Sequence, residues 1–171
     1  NKVLKDLAHL ISQCSAEIIA ANQQDVAMAN GVDATLLDRL KVDEKKVKGM
    51  ISAVEEVLAL PDPEGEILHQ YLHPNGMQVE NRSVPFGRIL IIYESRPDVT
   101  IEAAVNAFKS GNVLYLKGGK EARNTNLYLV SLWAEALKMN DLPENWVNYL
   151  DIDRAETQKL LRENTLRLDL I

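Results

Sequence analysis

Over the first 60 residues, apolar side chains recur every three or four positions, which is the spacing of one face of an α-helix. The first stripe predicts a long helix and consists of Val3, Leu7, Leu10, Cys14 and Ile18. Asn30 and Gly31 supply its stop signal. A short helix is predicted around 36–40, and Asp43 is placed to cap a third helix with an apolar face over 47–58.

A twofold alternation follows in segment 67–81, which predicts a β-hairpin. Its turn is predicted at Asn75-Gly76, because this pair readily adopts the positive φ angles of a tight hairpin turn. A two-stranded ribbon is only marginally stable alone. We therefore expect it to pair with another subunit or another domain.

From Gly87 onward, short apolar runs alternate with helical stripes. The predicted order is strand 88–93, helix 100–109, strand 113–117, helix 121–139, strand 146–150, helix 154–162 and a strand beginning at 166. Helices between strands imply parallel pairing with right-handed crossovers. The expected fold is α/β, with an incomplete, doubly wound, Rossmann-like parallel sheet preceded by a helical region and a hairpin. We expect three parts: a helical region (1–63), the hairpin (64–86) and a nucleotide-binding α/β domain (87–171).

Charge and cysteine content narrow the possible functions of the 171-residue chain. The formal net charge of −6 argues against nucleic-acid partners and against docking on an anionic membrane. No apolar run approaches the roughly 18 residues of a membrane-spanning helix. A lone cysteine excludes an internal disulfide and makes the cytoplasm the default location. The chain lacks an initial Met and stops within a predicted strand, so we expect a fragment of a longer enzyme.

Candidate chemistry lies at two predicted strand ends, where parallel α/β sheets bind ligands. After the second strand come Lys117, Gly118, Gly119 and Lys120. The glycines allow a ligand to approach the backbone, the following helix N-terminus favours an anion, and the lysines add positive charge. Taken alone, this motif fits a tight turn with two solvated lysines equally well.

The loop after the first strand carries Glu94, Ser95 and Arg96, and Pro97 is expected to stiffen its exit. An arginine can bind a carboxylate or a phosphate with two hydrogen bonds. The simpler interpretation of this loop is a surface ion pair between Glu94 and Arg96.

Together, the two loops resemble γ-glutamyl phosphate reductase, a family of the aldehyde dehydrogenase superfamily. The similar segments are 87–100, 109–112, 116–122 and 124–126. Further similarity at 20–22, 37–40, 60–65, 74–77 and 84–87, and at Asp25, extends the resemblance over essentially the whole chain.

The resemblance implies NADPH-dependent reduction of L-glutamate 5-phosphate to L-glutamate 5-semialdehyde and phosphate, a step of proline biosynthesis. In this chemistry a cysteine thiolate displaces phosphate to give a thioester, which hydride then reduces. The family's nucleophilic cysteine lies beyond Ile171, so we expect no catalytic residue here and no activity from this fragment alone. Cys14 is expected to be a buried structural thiol. The resemblance also implies a homo-oligomer and a functional link to glutamate 5-kinase.

Residue roles follow from the same resemblance. Lys117 resembles the lysine that contacts the adenosine ribose in the superfamily. Lys120 stands where many members carry an acidic residue, and its charge favours the 2′-phosphate of NADP. The other expected cofactor-binding residues are Tyr93, Glu94, Gly118 and Gly119. Ser95 and Arg96 are assigned to the acyl phosphate or the cofactor, although this chain lacks the asparagine that other members carry at 94–97.

Two alternatives remain open at this point. The reductase half of a bifunctional Δ1-pyrroline-5-carboxylate synthase shares these motifs, and a non-catalytic nucleotide-binding module is the other alternative. No metal site is expected: His69 and His73 share a face of the predicted strand, but no third ligand is evident.

Overall fold

The structure, a computed structural model, describes residues 1–29 and 31–171. The helices of this part are α1 (Lys2–Gln13), α2 (Ser15–Met28), α3 (Ala34–Leu40), α4 (Glu44–Ala59), α5 (Pro97–Lys109), α6 (Arg123–Lys138) and α7 (Arg154–Glu163). The strands are β1 (Ile67–Leu72), β2 (Gln78–Arg82), β3 (Arg88–Ile92), β4 (Val113–Lys117) and β5 (Val147–Tyr149). Short 3-10 turns cover Lys120–Ala122 and Glu144–Trp146.

The predicted first helix is two helices, and the prediction of a continuous one is wrong. Cys14 lies between α1 and α2 with φ −96° and ψ 22°, outside the helical range. The apolar stripe continues across this break, because α1 and α2 both pack on α6. Of the two residues of the predicted stop signal, Asn30 lies outside the described residues.

The caps of the next two helices follow from their sequences. Asp43 accepts a hydrogen bond of 2.8 Å from the backbone N–H of Lys46, which confirms the predicted start of α4. Asp33 caps α3 in the same way, accepting from the N–H groups of Thr35 and Leu36.

The parallel sheet has the strand order β3-β4-β5, with Ile89 opposite Leu114 and Ile91 opposite Leu116. Right-handed crossovers place α5 and α6 on one face of this sheet. Helices α1 and α4 pack against the outer side of these two helices. One continuous apolar core therefore runs from Leu4 on α1 to Leu114 and Leu116 in the sheet, with Trp133 of α6 buried within it. The predicted α/β architecture is confirmed, while the division into three parts stays a prediction.

The end of the chain differs from the predicted fourth strand. Leu170 forms a single parallel bridge with Ile89, on the side of β3 opposite β4. Asn164 and Arg167 have φ values of 43° and 52°, and this left-handed backbone interrupts the extended conformation that a strand needs. The path from β5 back across β3 reverses the crossover direction, and a right-handed connection of this kind runs over the face opposite α5 and α6.

Two helix starts also differ from prediction. Pro97 is the first residue of α5 rather than a stiff loop residue, because a proline lacks only an N–H that the first helical turn leaves unbonded. Helix α6 begins at Arg123 instead of 121, after the 3-10 turn Lys120–Ala122.

The hairpin of β1 and β2 is antiparallel, as predicted, with an irregularity between Ile67 and His69. Its turn differs: Gly76 has a φ of 89°, but Asn75 does not have a positive φ. Asn75 instead accepts a hydrogen bond of 3.0 Å from the N–H of Met77. Every residue of β1 is exposed. Pairing of this hairpin with another subunit or domain stays a prediction.

The two histidines of the hairpin do not share a strand face. β1 ends at Leu72, so His73 lies in the turn, where its Nδ1 contacts Oδ1 of Asn75 at 2.8 Å. Among residues 1–29 and 31–171 there is no group of three potential metal ligands. No helix in this described part is both long and apolar enough to cross a lipid bilayer.

Candidate cofactor site

A cavity of about 470 Å³ opens at the carboxyl ends of β3 and β4, with the first turn of α7 as its third wall. It is lined by Ile92, Tyr93, Lys117, Gly118, Lys120, Ile152, Asp153, Arg154, Thr157 and Gln158. Its volume lies within the range of small-molecule sites. The structure thus brings together Tyr93, Lys117, Gly118 and Lys120 of the predicted cofactor site. Glu94 and Gly119 do not line the cavity.

Three cationic side chains border this cavity: Lys117, Lys120 and Arg154. Lys117 Nζ donates a hydrogen bond of 3.0 Å to the carbonyl of Gly118, and Arg154 is exposed. Within the described residues, none of the three forms an ion pair with a carboxylate. Their charge is therefore available to an anionic ligand.

Arg154 was not predicted as a cofactor-site residue. It belongs to α7, which follows β5, and lies more than thirty positions after Lys120 in the sequence. Its place is set by the N-terminus of α7. Asp153 accepts from the Glu156 N–H at 2.8 Å, and the Glu156 carboxylate accepts from the Asp153 N–H at 2.9 Å. This capping box fixes where α7 begins. Asp153 was predicted as the cap of this helix, and that prediction is confirmed.

The side chains of neighbouring residues pack closely against Gly118 and Gly119. A Cβ added to Gly118 would overlap Nδ2 of Asn126 and would lie 3.1 Å from the Tyr93 hydroxyl oxygen. A Cβ added to Gly119 would overlap Oγ of Ser95. Both positions therefore require glycine because neighbouring side chains lie against them, whether or not a ligand approaches.

A buried polar chain underlies Gly118. The hydroxyl of Thr100 donates to Oδ1 of Asn126 at 2.8 Å, so its oxygen accepts the proton of the Tyr93 hydroxyl at 2.7 Å. Burial raises the pKa of Tyr93 above its ordinary value, against the smaller opposing effect of the Thr100 hydrogen bond. Tyr93 therefore stays neutral and commits its proton to Thr100, so it offers the cavity its ring rather than a donor.

Ser95 joins the two strand-end loops. Its side chain is buried, with only 2% of the residue exposed, and its hydroxyl donates to Oε2 of Glu121 at 2.6 Å. This hydrogen bond is the largest effect that lowers the pKa of Glu121, and burial opposes it. Ser95 does not line the cavity. Its assignment to the substrate stays a prediction.

The other two polar residues of the first loop have separate partners. Glu94 pairs with Arg39 at 2.8 Å, and Arg96 pairs with Asp98 at 3.3 Å. The simpler interpretation, an ion pair between Glu94 and Arg96, is therefore wrong. Both side chains are about half exposed or more and lie outside the cavity lining, so their predicted roles stay predictions.

The sequence led us to expect that the first turn of α6 would present free N–H groups to an anion. The structure shows that it does not. The backbone N–H groups of Asn124 and Thr125 donate to the carboxylate of Asp25, at 3.0 and 2.8 Å. A carboxylate from α2 already occupies this helix N-terminus. Positive charge in the cavity therefore comes from side chains rather than from α6.

Cys14 is half-buried at the junction of α1 and α2, where it packs against the core. Burial raises the pKa of Tyr128 to about 12, and the neighbouring thiol of Cys14 adds to this effect. Cys14 does not line the cavity, and its structural role stays a prediction.

Known proteins resemble this chain strongly, although no family model matches it. A γ-glutamyl phosphate reductase of Thermodesulfovibrio yellowstonii is 44% identical over 158 residues, which are 91% of this chain and 38% of that protein. One from Caldanaerobacter subterraneus subsp. tengcongensis is 39% identical over 100% of this chain and 42% of its own length. The crystal structure of γ-glutamyl phosphate reductase from Thermotoga maritima superposes with a TM-score of 0.90 at 40% identity, covering 94% of this chain and 40% of that one. The predicted resemblance is confirmed.

The chain spans about two fifths of the length of these γ-glutamyl phosphate reductases. A more distant structure, an NAD-dependent benzaldehyde dehydrogenase from Corynebacterium glutamicum, has a TM-score of 0.70 at 15% identity, over 92% of this chain and 32% of that one. At that identity the likeness concerns the fold alone. It confirms the predicted aldehyde dehydrogenase type of sheet.

Proposed function

We propose that the protein containing this chain reduces L-glutamate 5-phosphate to L-glutamate 5-semialdehyde and phosphate with NADPH, as a step of proline biosynthesis. The observation that carries this proposal is the identity of 39% to 44% with γ-glutamyl phosphate reductases over nearly the whole chain. The chain covers about two fifths of those proteins. The reaction as a whole therefore also requires residues outside it.

Within that reaction, we assign this chain the binding of the cofactor's adenosine end. The relatives imply a nicotinamide cofactor, and the cavity between β3, β4 and α7 has a suitable place and volume for part of one. Lys117, Lys120 and Arg154 would hold a 2′-phosphate, because three unpaired cations attract that dianion and an acidic residue at 120 would repel it. This charge is the reason for proposing NADP over NAD.

In this proposal, none of the described side chains acts as the nucleophile or transfers the hydride. When bound, the cofactor supplies the hydride, and the proposed nucleophilic cysteine belongs to the region of the relatives that this chain does not cover. Ser95 and Arg96 are proposed to face the acyl phosphate or the cofactor. For Ser95 this requires a rearrangement, because its hydroxyl proton is engaged by Glu121.

Assay of the reverse reaction with the full-length protein tests the proposal. We expect NADP⁺ to be reduced when L-glutamate 5-semialdehyde and inorganic phosphate are both present, and not when phosphate is omitted. Oxidation of the aldehyde without phosphate would indicate hydrolysis to glutamate instead of acyl-phosphate formation, and would contradict the proposal. NAD⁺ supporting this reverse reaction as well as NADP⁺ would contradict the cofactor assignment only.

We further propose that the intact protein is a cytoplasmic homo-oligomer with a functional link to glutamate 5-kinase. The exposed strand β1 supports the oligomer, because a solvated two-stranded ribbon gains stability by pairing. Light scattering of the full-length protein checks the oligomer, and a purely monomeric species would contradict it.

A further inference from the structure

Helix α2 carries two polar side chains that are almost inaccessible to solvent. Asn22 and Asp25 lie one turn apart and are 2% and 3% exposed. Buried polar groups are costly unless they are hydrogen-bonded, and a buried carboxylate is especially so. The hydrogen-bond partners of these two side chains therefore indicate their structural role.

Asp25 accepts four hydrogen bonds from the first turn of α6. The backbone and side chain of Asn124 donate to Oδ1 at 3.0 and 2.8 Å, and those of Thr125 donate to Oδ2 at 2.8 and 2.6 Å. Helix α6 has no capping side chain at its own N-cap, Ala122. A carboxylate about one hundred positions earlier in the chain thus caps this helix and stabilises its dipole.

Asn22 extends the same contact to a third segment. Its Nδ2 donates to the carbonyl of Leu40 at 2.9 Å and to Oγ1 of Thr125 at 3.2 Å, while its Oδ1 accepts from the N–H of Val42 at 2.7 Å. Thr125 is held by both residues of α2. We call Asn22 and Asp25 the α2 clamp.

The α2 clamp acts next to Lys120. The 3-10 turn Lys120–Ala122 leads directly into α6, so its orientation follows from that of the helix start. Lys120 borders the cofactor cavity on one side, and on the other a second cavity of about 290 Å³ that Asp25 also lines. The clamp is therefore adjacent to the residue proposed to bind the 2′-phosphate.

We infer that Asn22 and Asp25 are positioning residues for the cofactor: they hold the start of α6, and thereby set Lys120 for contact with the 2′-phosphate. This inference rests on the proposed function. A cap that only stabilises the fold would affect NADPH and NADH alike, whereas a positioning role affects the cofactor that carries the 2′-phosphate.

The test is equilibrium binding of NADPH and NADH to the full-length protein carrying Asp25→Asn. We expect the dissociation constant for NADPH to rise about tenfold and that for NADH to change less than twofold, which corresponds to the loss of one favourable contact of Lys120. The control is Asp33→Ala, which removes the side-chain cap of α3 and should lower the melting temperature without changing cofactor preference.

A milder variant covers the case in which Asp25→Asn does not fold. Asn124→Ala removes one of the four hydrogen bonds to Asp25 and should shift the preference in the same direction by a smaller factor. Equal loss of NADPH and NADH affinity, or an unchanged preference in folded variants, overturns the positioning role alone. A wild-type protein that binds NADH as tightly as NADPH overturns the cofactor assignment, and the clamp's role with it.

Discussion

The hydroxyl of Ser95 donates a hydrogen bond of 2.6 Å to Oε2 of Glu121, and this bond joins the loop after β3 to the loop after β4. Gly119 lies against the same hydroxyl, so the serine fills the space between the two loops. The cavity wall around Lys117 and Lys120 is thus tied to the loop that begins α5. Its geometry depends on this contact as well as on the sheet.

Removal of the Ser95 hydroxyl should loosen that connection. We expect Ser95→Ala to lower the free energy of unfolding by about 1–2 kcal/mol, because a buried hydrogen bond to a charged acceptor is lost. Urea denaturation measures the change. Ser131→Ala is the control, since its hydroxyl donates to the Tyr128 carbonyl at an exposed position and should change stability by less than about 0.5 kcal/mol. Equal effects of the two substitutions would contradict a role for Ser95 in joining the loops.

Glu121 predicts a pH dependence in the acid range. Because the Ser95 hydrogen bond lowers its folded pKa below the unfolded value, its contribution to stability is complete above the ordinary pKa of a glutamate. The contribution is lost as the pH falls through the lowered pKa of the folded protein. Glu121→Gln should therefore be less stable than wild type near neutral pH, and the difference should shrink on acidification. Unfolding curves at several pH values test this, and a constant difference would refute it.

Replacement of Gly118 by alanine should lower the stability of the protein, whereas the same replacement of Gly49 in α4 should raise it. The added methyl group of Gly118→Ala would overlap Asn126 and crowd Tyr93, and overpacking of this kind costs about 1–3 kcal/mol. Gly49→Ala is the control: no atom lies within 4 Å of the added Cβ, and helix propensity should stabilise the protein by about 0.5–1 kcal/mol. Thermal unfolding should therefore show a lower melting temperature for Gly118→Ala and a higher one for Gly49→Ala. Similar changes in both would show that Gly118 is not closely packed.

Charge reversal at Lys120 should change cofactor preference. Lys120→Glu places an acidic group beside the proposed 2′-phosphate, so we expect the dissociation constant for NADPH to rise at least tenfold while that for NADH changes little. Arg154→Ala should act in the same direction and more weakly. Lys48→Glu, at an exposed position of α4, controls for net charge. An unchanged ratio of NADPH to NADH affinity in Lys120→Glu would remove the assignment.

Sequence patterns predicted the order of strands and helices from β3 to α7, because buried strands and amphipathic helices leave strong periodic signals. They also predicted the caps at Asp43 and Asp153, where one side chain acts on its own helix. The break at Cys14 was missed, since the apolar stripe continues through it.

The candidate site was predicted only where it follows directly from strand ends. Tyr93, Lys117, Gly118 and Lys120 belong to this class. The contributions of Asp25 and Arg154 were missed, because both come from segments distant in sequence that only the folded chain brings to the loops. A polar pair one turn apart on α2, Asn22 and Asp25, was the available signal for the first of these.

The bridge between Ile89 and Leu170 gives β3 neighbours on both edges, with α5 leading from β3 to β4 and α7 preceding the segment that carries Leu170. The cavity at the carboxyl end of β3 is therefore formed by the path of the backbone and not by a packing defect in the core. Exposed residues that border it, such as Lys120 and Arg154, can be exchanged without disturbing the core. Substitutions at these two positions should therefore alter cofactor preference at little cost in stability.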